Sequence, residues 1–88
     1  MANSLHFHAD HKGVLNRVVE RLLPGGRLLL VEYDVTLPRP WIPYPVGYKH
    51  FMRLTKEVNL GAPQLVGTRR SRWSANQQMY AAVAYRVT

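Results

Sequence analysis

The feature that most constrains the fold is an aliphatic run without polar alternation, residues 28–31 (LLLV), placed shortly after a Pro-Gly-Gly sequence at residues 24–26. Unbroken apolar strands are typical of sheets that are covered on both faces. A helix is predicted immediately before this strand, over residues 11–23, because its apolar residues recur on one helical face. Asp10 can cap the start of that helix. A helix followed by a buried strand indicates an α/β domain.

The rest of the chain continues in the same manner. Four of the six prolines fall within residues 38–45, which predicts a stiff connection with Trp41 buried in it. Helical periodicity returns over residues 46–59, and two strands are predicted over residues 64–68 and 79–87. A chain of 88 residues has the length of one domain. We therefore expect a single domain with a small mixed sheet of about three strands and two helices.

The composition excludes several classes of protein and favours an anionic partner. The absence of cysteine excludes disulfide scaffolds, thiolate metal sites and cysteine nucleophiles. Twelve Lys and Arg against five Asp and Glu give a net charge of +7, which favours contact with nucleic acid, nucleotides or acidic proteins. Residues 69–73 (RRSRW) combine basic and aromatic side chains, as surfaces that bind single-stranded nucleic acid do. One functional alternative is therefore a small basic binding or assembly module without catalysis.

The sequence also bears on the location of the protein. No apolar run has the length of a membrane span. The amino terminus does not resemble a secretory signal. We therefore expect a cytoplasmic protein that does not enter a membrane.

One local pattern suggests a metal site. Residues 6–11 (HFHADH) spell the HxHxDH zinc signature of metallo-β-lactamases. A functional zinc centre of that kind needs further ligands downstream, and His50 is the only other histidine. We therefore reject a metal site at His6, His8 and His11 and expect ordinary loop residues.

The best indication of a site is a pair of carboxylates at the end of the apolar strand. Glu32 and Asp34 follow the run at alternate positions, so they share one face of the strand. In open α/β sheets, ligands bind at the carboxyl ends of the strands. The two carboxylates could therefore face a ligand, or they could simply solvate the strand end.

Taken together, these segments resemble the second half of a class I S-adenosylmethionine-dependent methyltransferase. The resemblance is carried by residues 2–7 (ANSLHF), by Asp10 and by residues 22–34 (LLPGGRLLLVEYD). Residues 40–45 (PWIPYP) and 79–82 (MYAA) are similar to one bacterial subgroup of that family. The resemblance implies that residues 2–7 close the fourth strand of the family sheet. It also implies that the fifth strand pairs antiparallel with the seventh, and that the sixth lies at the edge.

The resemblance implies a divided site. The family's glycine-rich loop and acidic cofactor ligand would precede the first residue, so the chain is expected to lack the cofactor-binding half and to be inactive alone. S-adenosylmethionine is the implied cofactor, and we expect that this chain alone does not bind it. The catalytic residues are not identified. The site residues that the resemblance implies for this chain are of two kinds. The first is a cofactor rim at Asn3, Leu5 and His6, and the second is a set of substrate-side groups at Glu32, Tyr33, Trp41 and Tyr44.

The apolar strand also predicts an oligomer. Without most of the fourth strand, the segment between Arg27 and Val35 would present an exposed sheet edge, and such edges recruit another strand. A two-fold dimer in which this edge meets itself is the simplest closed arrangement. We therefore expect a homodimer through the strand edge.

Overall fold

The computed structural model describes residues 5–70 and 78–88. They form a 3-10 turn at Leu5–Phe7, helices α1 (His11–Val19) and α2 (Tyr48–Glu57), and strands β1 (Arg27–Tyr33), β2 (Gln64–Arg70) and β3 (Gln78–Tyr85). The prediction of a small α/β domain with two helices and three strands is confirmed. None of the helices in these residues is long and apolar enough to cross a bilayer. Asn3 and residues 71–73 of the basic segment lie outside the described residues.

Helix α1 begins where the sequence predicts and ends earlier. Asp10 caps its start, since Oδ1 accepts a hydrogen bond from the Gly13 amide at 3.0 Å. The helix ends at Val19 instead of residue 23. The amides of Arg21 and Leu22 bond to carbonyls three residues back, so the last turn tightens to 3-10 geometry.

The three strands form one antiparallel sheet in the order β1-β3-β2. Leu30 of β1 lies opposite Ala82 of β3, and Leu65 of β2 lies opposite the same alanine on the other side. The register of β2 shifts between Leu65 and Gly67, as at a β-bulge. The last strand thus lies in the middle, and β2 lies at an edge, which is the order that the resemblance implies. The sheet is not mixed as predicted, because every pairing among the described strands is antiparallel.

The helices cover only one face of this sheet. Alternate residues of β1 and β3 are buried and form a single core with residues of both helices: Leu28, Leu30, Tyr80, Ala82, Ala84, Leu15, Val19, Phe51 and Leu54. The opposite side, called here the outer face, carries Leu29, Val31, Tyr33, Met79, Ala81, Val83 and Tyr85. Leu29 is 50% exposed there. The prediction that the apolar strand is covered on both faces is therefore wrong within the described part of the chain, because both helices pack on the same side.

Two local predictions near the helices are also corrected. Residues 5–7 form a 3-10 turn and not the end of a strand, and Leu5 is fully buried in the core. In the proline-rich connection, Ile42 is the buried residue, whereas Trp41 is 52% exposed. Ile42 exchanges two backbone hydrogen bonds with Arg39, so this narrow turn directs the isoleucine inward and the tryptophan outward.

Candidate functional site

His6 and Glu32 form a buried pair at the carboxyl end of β1. Their side chains are 3% and 0% exposed. The His6 amide donates to Glu32 Oε2 at 3.2 Å, and His6 Nδ1 lies 2.7 Å from Glu32 Oε1. A carboxylate only accepts hydrogen bonds, so Nδ1 is the donor. One residue therefore occupies both oxygens of Glu32 and fixes the 3-10 turn to the strand.

This pair is closed to ligands. The Phe7 ring lies 4.2 Å from the His6 ring, centroid to centroid, and the Tyr33 ring meets it edge-on at 5.9 Å. Leu5 is buried beside them. The side chains of Leu5 and His6 therefore face the protein interior, and the cofactor rim expected at these residues stays a prediction.

Asp34 lies two residues beyond Glu32 and contacts a different element, helix α2. Its Oδ1 accepts a hydrogen bond from the Tyr48 amide at 3.0 Å. It thereby caps α2, whose own cap position is Gly47. A Cβ at Gly47 would lie 3.1 Å from the Val35 carbonyl oxygen, so a glycine allows the helix start to approach the segment after β1 closely. Glu32 and Asp34 both reach the helix side of the sheet, but they contact separate elements.

A second buried hydrogen bond positions the start of α2. The Tyr80 hydroxyl donates to the Val46 carbonyl at 2.6 Å, and the Tyr80 and Tyr48 rings are stacked at 5.5 Å. Burial, followed by the nearby charges of Glu32 and Asp34, raises the pKa of Tyr80 well above its ordinary range. The hydroxyl therefore keeps its proton and remains a donor. The central strand, the proline-rich connection and α2 are joined at this point.

The side chains of two histidines, one from each helix, are in contact. His11 Nδ1 lies 3.0 Å from His50 Nε2, and His11 Nε2 lies 3.0 Å from the Tyr44 carbonyl oxygen. A carbonyl can only accept, so His11 Nε2 carries a hydrogen. In the neutral state, Nδ1 of His11 then accepts the hydrogen of His50 Nε2. The contact thus fixes the tautomers of both rings.

The surroundings of this histidine pair disfavour its protonation. Burial and then the charge of His50 lower the pKa of His11, against smaller opposing effects of the Tyr44 carbonyl and Glu32. Burial and then the guanidinium of Arg53 lower the pKa of His50. Two imidazoles in contact cannot both be charged without repulsion. The pair is therefore a neutral, polar group at physiological pH.

The histidine pair lines an open groove of about 890 Å³ at the carboxyl end of β1. One wall is the first part of α2, which contributes Lys49, His50 and Arg53. The opposite wall is the connection between β1 and α2, with its prolines and Tyr44. A volume of this order is typical of sites for small organic molecules. The groove is therefore the best candidate for a functional site in the described residues.

The predicted site residues fall at three different places. Glu32 joins His6 in the buried pair, and Tyr33 packs against it. Tyr44 is 45% exposed and lines the groove. Trp41 is exposed outside that lining. Asn3 lies outside the described residues.

The histidines of the HFHADH segment are likewise separated. His6 contacts Glu32, His11 contacts His50, and His8 is exposed. Residues 5–70 and 78–88 contain no group of three or more histidine, cysteine, aspartate or glutamate side chains placed to hold a metal ion.

Sequence reasoning missed the basic wall of the groove. Lys49 and Arg53 are four residues apart and therefore share a helical face, and His50 adjoins them. This spacing was a usable signal, but the sequence analysis considered only the net charge and residues 69–73 as basic features. The partner of His50 could not be read from the sequence, because His11 lies 39 residues away.

Comparisons of the chain with protein-family models, with curated proteins and with solved structures find no match.

Proposed function

We propose that this chain is the carboxyl-terminal part of a class I S-adenosylmethionine-dependent methyltransferase fold, and that it supplies the methyl-acceptor side of the site without catalysing alone. The observation that carries the proposal is the sheet order β1-β3-β2 with a groove at the carboxyl end of β1. The resemblance of residues 2–7 and 22–34 implies the same order. Ligand sites of open α/β sheets lie at that end of the strands.

The outer face supports the same proposal. In a sheet enclosed between two helical layers, both faces of the inner strands are apolar. Here the first layer is α1 and α2, while Ala81 and Val83 of the central strand lie on the opposite face and not in the core that these two helices form within the described chain. We assign this face to the helices of a cofactor-binding half, supplied by a longer form of the protein or by a second chain.

Of the residues that the resemblance assigns to the site, three are engaged inside the protein and do not present free groups to S-adenosylmethionine. Leu5 and His6 are buried, and both oxygens of Glu32 are occupied by His6. The cofactor, bound to the other half, would supply an electrophilic methyl group. The residues of this chain then act on the acceptor. The groove binds the acceptor. The hydrogen bonds of Glu32 with His6 and of Asp34 with α2 fix the position of the groove relative to β1.

Calorimetric titration with S-adenosylmethionine tests the proposal. The chain alone should show no binding at micromolar strength, because backbone donors of a glycine-rich loop normally hold this kind of ligand. The same chain joined to the amino-terminal half of a class I methyltransferase should bind it at micromolar strength. Micromolar binding by the chain alone would contradict the division of the site, and a joined protein that folds but does not bind would contradict the assignment to this fold.

A basic binding module remains the second candidate. The net charge of +7 favours it, as do Arg69 and Arg70 at the end of β2. Saturable binding of a single-stranded oligonucleotide at physiological salt, measured by fluorescence anisotropy, would favour this candidate over the methyltransferase proposal. Binding that vanishes at that salt concentration would reflect charge alone.

A further inference from the structure

We propose that the groove binds a small organic anion with a flat apolar body, of the aryl carboxylate class, and that binding draws a proton onto the His11–His50 pair. The anion's charge faces Lys49 and Arg53, and its apolar body lies against the proline-rich wall. The identification of this anion as the methyl acceptor rests on the proposed function. Binding itself is a property of the chain as it stands.

The charge of the groove selects an anion. Lys49 and Arg53 line it from one face of α2, and both are exposed. Asp34 is the one acidic residue in the described lining, and its Oδ1 is engaged by the Tyr48 amide. The groove also lies at the amino-terminal end of α2, where the helix dipole is positive. The local balance is therefore cationic.

The opposite wall selects an apolar body. It carries Pro38, Pro43 and Pro45 beside Tyr44, and Met52 projects from α2. Tyr44 is 45% exposed and Met52 is 43% exposed, so a ligand can remove apolar area from water here. Proline restricts the backbone of this wall, which lowers the conformational entropy lost on binding. An inorganic anion would use the cations and leave these side chains exposed.

The histidine pair links binding to proton uptake. His11 faces His50 of α2, Glu32 of β1, His8 and the Tyr44 carbonyl. His50 also faces Arg53 and Glu57. Burial and neighbouring positive charge keep the pair neutral, and an added anion opposes that effect. A bound carboxylate therefore raises the proton affinity of the pair, and by linkage a lower pH must strengthen binding.

Titration of the full chain, followed by amide and imidazole NMR signals, tests the proposal. The probes are benzoate, the neutral isostere benzamide, and inorganic phosphate. Benzoate should shift the signals of residues 49–53 saturably. Benzamide and phosphate should each bind at least about tenfold more weakly than benzoate. Equal binding of benzamide would overturn the anion assignment. Equal binding of phosphate would overturn the apolar one, and an absence of saturable benzoate binding would overturn both.

Two pairs of substitutions separate the groove from net charge. Lys49→Gln combined with Arg53→Gln should weaken benzoate binding about tenfold. Lys56→Gln combined with Arg21→Gln removes the same charge from exposed positions outside the groove, and this control should bind as the unaltered chain does. An equal loss in both double variants would mean that total charge and not the groove attracts benzoate.

The proton link has its own readout. Benzoate affinity should rise several-fold between about pH 7.5 and about pH 5.5, where the imidazoles titrate. In His50→Gln this dependence should weaken, because only His11 is left to take up the proton, while binding at the higher pH persists. A variant that keeps the full pH dependence would overturn the proton link. None of these benzoate measurements uses S-adenosylmethionine. A negative cofactor titration would therefore not affect the benzoate result, and a negative benzoate result would not affect the cofactor titration.

Discussion

At the scale of single residues, the buried pair of His6 and Glu32 accounts for the position of the 3-10 turn. A buried carboxylate is costly unless its oxygens are hydrogen-bonded. Glu32 meets this requirement with the amide and the ring of a single residue. The sequence showed both residues as site candidates, but it could not show that they satisfy each other, because 26 positions separate them.

Replacing Glu32 with alanine should therefore destabilise the fold severely. Glu32→Ala leaves the His6 amide and Nδ1 without an acceptor in a buried position, and we expect the free energy of unfolding to fall by about 3 kcal/mol. Urea denaturation followed by circular dichroism measures this change. Glu20→Ala, at an exposed position, is the control and should change the free energy by no more than about 0.5 kcal/mol. Equal effects of the two substitutions would show that the buried pair is not a structural link.

The histidine pair makes stability depend on pH. The pKa values of His11 and His50 are lowered in the folded state from the ordinary 6.5. The unfolded chain therefore binds protons first as the pH falls. The stability that the neutral pair contributes is complete above pH 6.5. It is lost as the pH falls below that value and through the lower folded pKa.

We expect the free energy of unfolding to be lower at about pH 5.5 than at about pH 7.5, and His50→Gln to reduce this difference. Denaturant unfolding at the two pH values measures it. His8→Gln is the control: His8 is exposed, and its charge is the smallest of the effects on the pKa of His11, so this variant should preserve most of the difference. A stability that rises toward the lower pH would contradict the assignment of a neutral pair.

At the scale of elements, local signals predicted the helices and strands, and long-range contacts decided where they end. The apolar periodicity and Asp10 located α1. The unbroken apolar run located β1, but its burial alternates, because no helix in the described residues covers the outer face. The groove was only partly predictable. The strand end with Asp34 indicated its place, whereas its basic wall depends on how α2 turns toward the chain between residues 34 and 47.

The carboxyl end of α1 shows the same dependence on distant residues. Arg86 donates from Nη1 to the carbonyl oxygens of Val19, Glu20 and Leu22. These carbonyls lie at and after the end of α1, where the regular helix no longer supplies amides four residues ahead, and the Val19 carbonyl also accepts from the Leu22 amide. The sequence did not predict this role for Arg86, because nothing local to it indicates a helix end 64 residues away.

Arg86→Met keeps the apolar stem of the side chain and removes its donors. We expect a loss of about 1–2 kcal/mol in the free energy of unfolding, since the cationic cap also complements the helix dipole. Thermal and urea unfolding would measure the loss. Arg21→Met removes an equivalent charge from an exposed position nearby and should be nearly neutral. If both variants unfolded alike, the cap would have no energetic role.

At the scale of the whole molecule, the sheet has a helical layer on one side and an apolar outer face on the other. Among the strands that the structure describes, β1 ends the sheet on one side in the order β1-β3-β2. Both features favour association. The homodimer through the edge between Arg27 and Val35 stays a prediction, and it applies to the chain without a cofactor-binding half.

We expect the isolated chain to sediment as a dimer at low micromolar concentration. The physical reason is that pairing two copies of β1 would extend the sheet across the two-fold axis. Analytical ultracentrifugation distinguishes this species from the 10.1 kDa monomer. A monomer at that concentration would contradict the prediction. A dimer whose hydrogen-exchange protection maps to α1 and α2 would contradict the edge as its site.

The central claim is that the outer face receives a cofactor-binding half, and association with that half tests it most directly. The measurement is calorimetric binding of the chain to the separately expressed amino-terminal half of a class I methyltransferase. Val83→Lys places a charge in the middle of the outer face and should abolish association. Val87→Lys makes the same change at a residue that is 61% exposed beyond β3 and should leave association intact. Association of the unaltered chain and of Val87→Lys, but not of Val83→Lys, is the predicted result. Equal association of both variants, or none by the unaltered chain, would contradict the account.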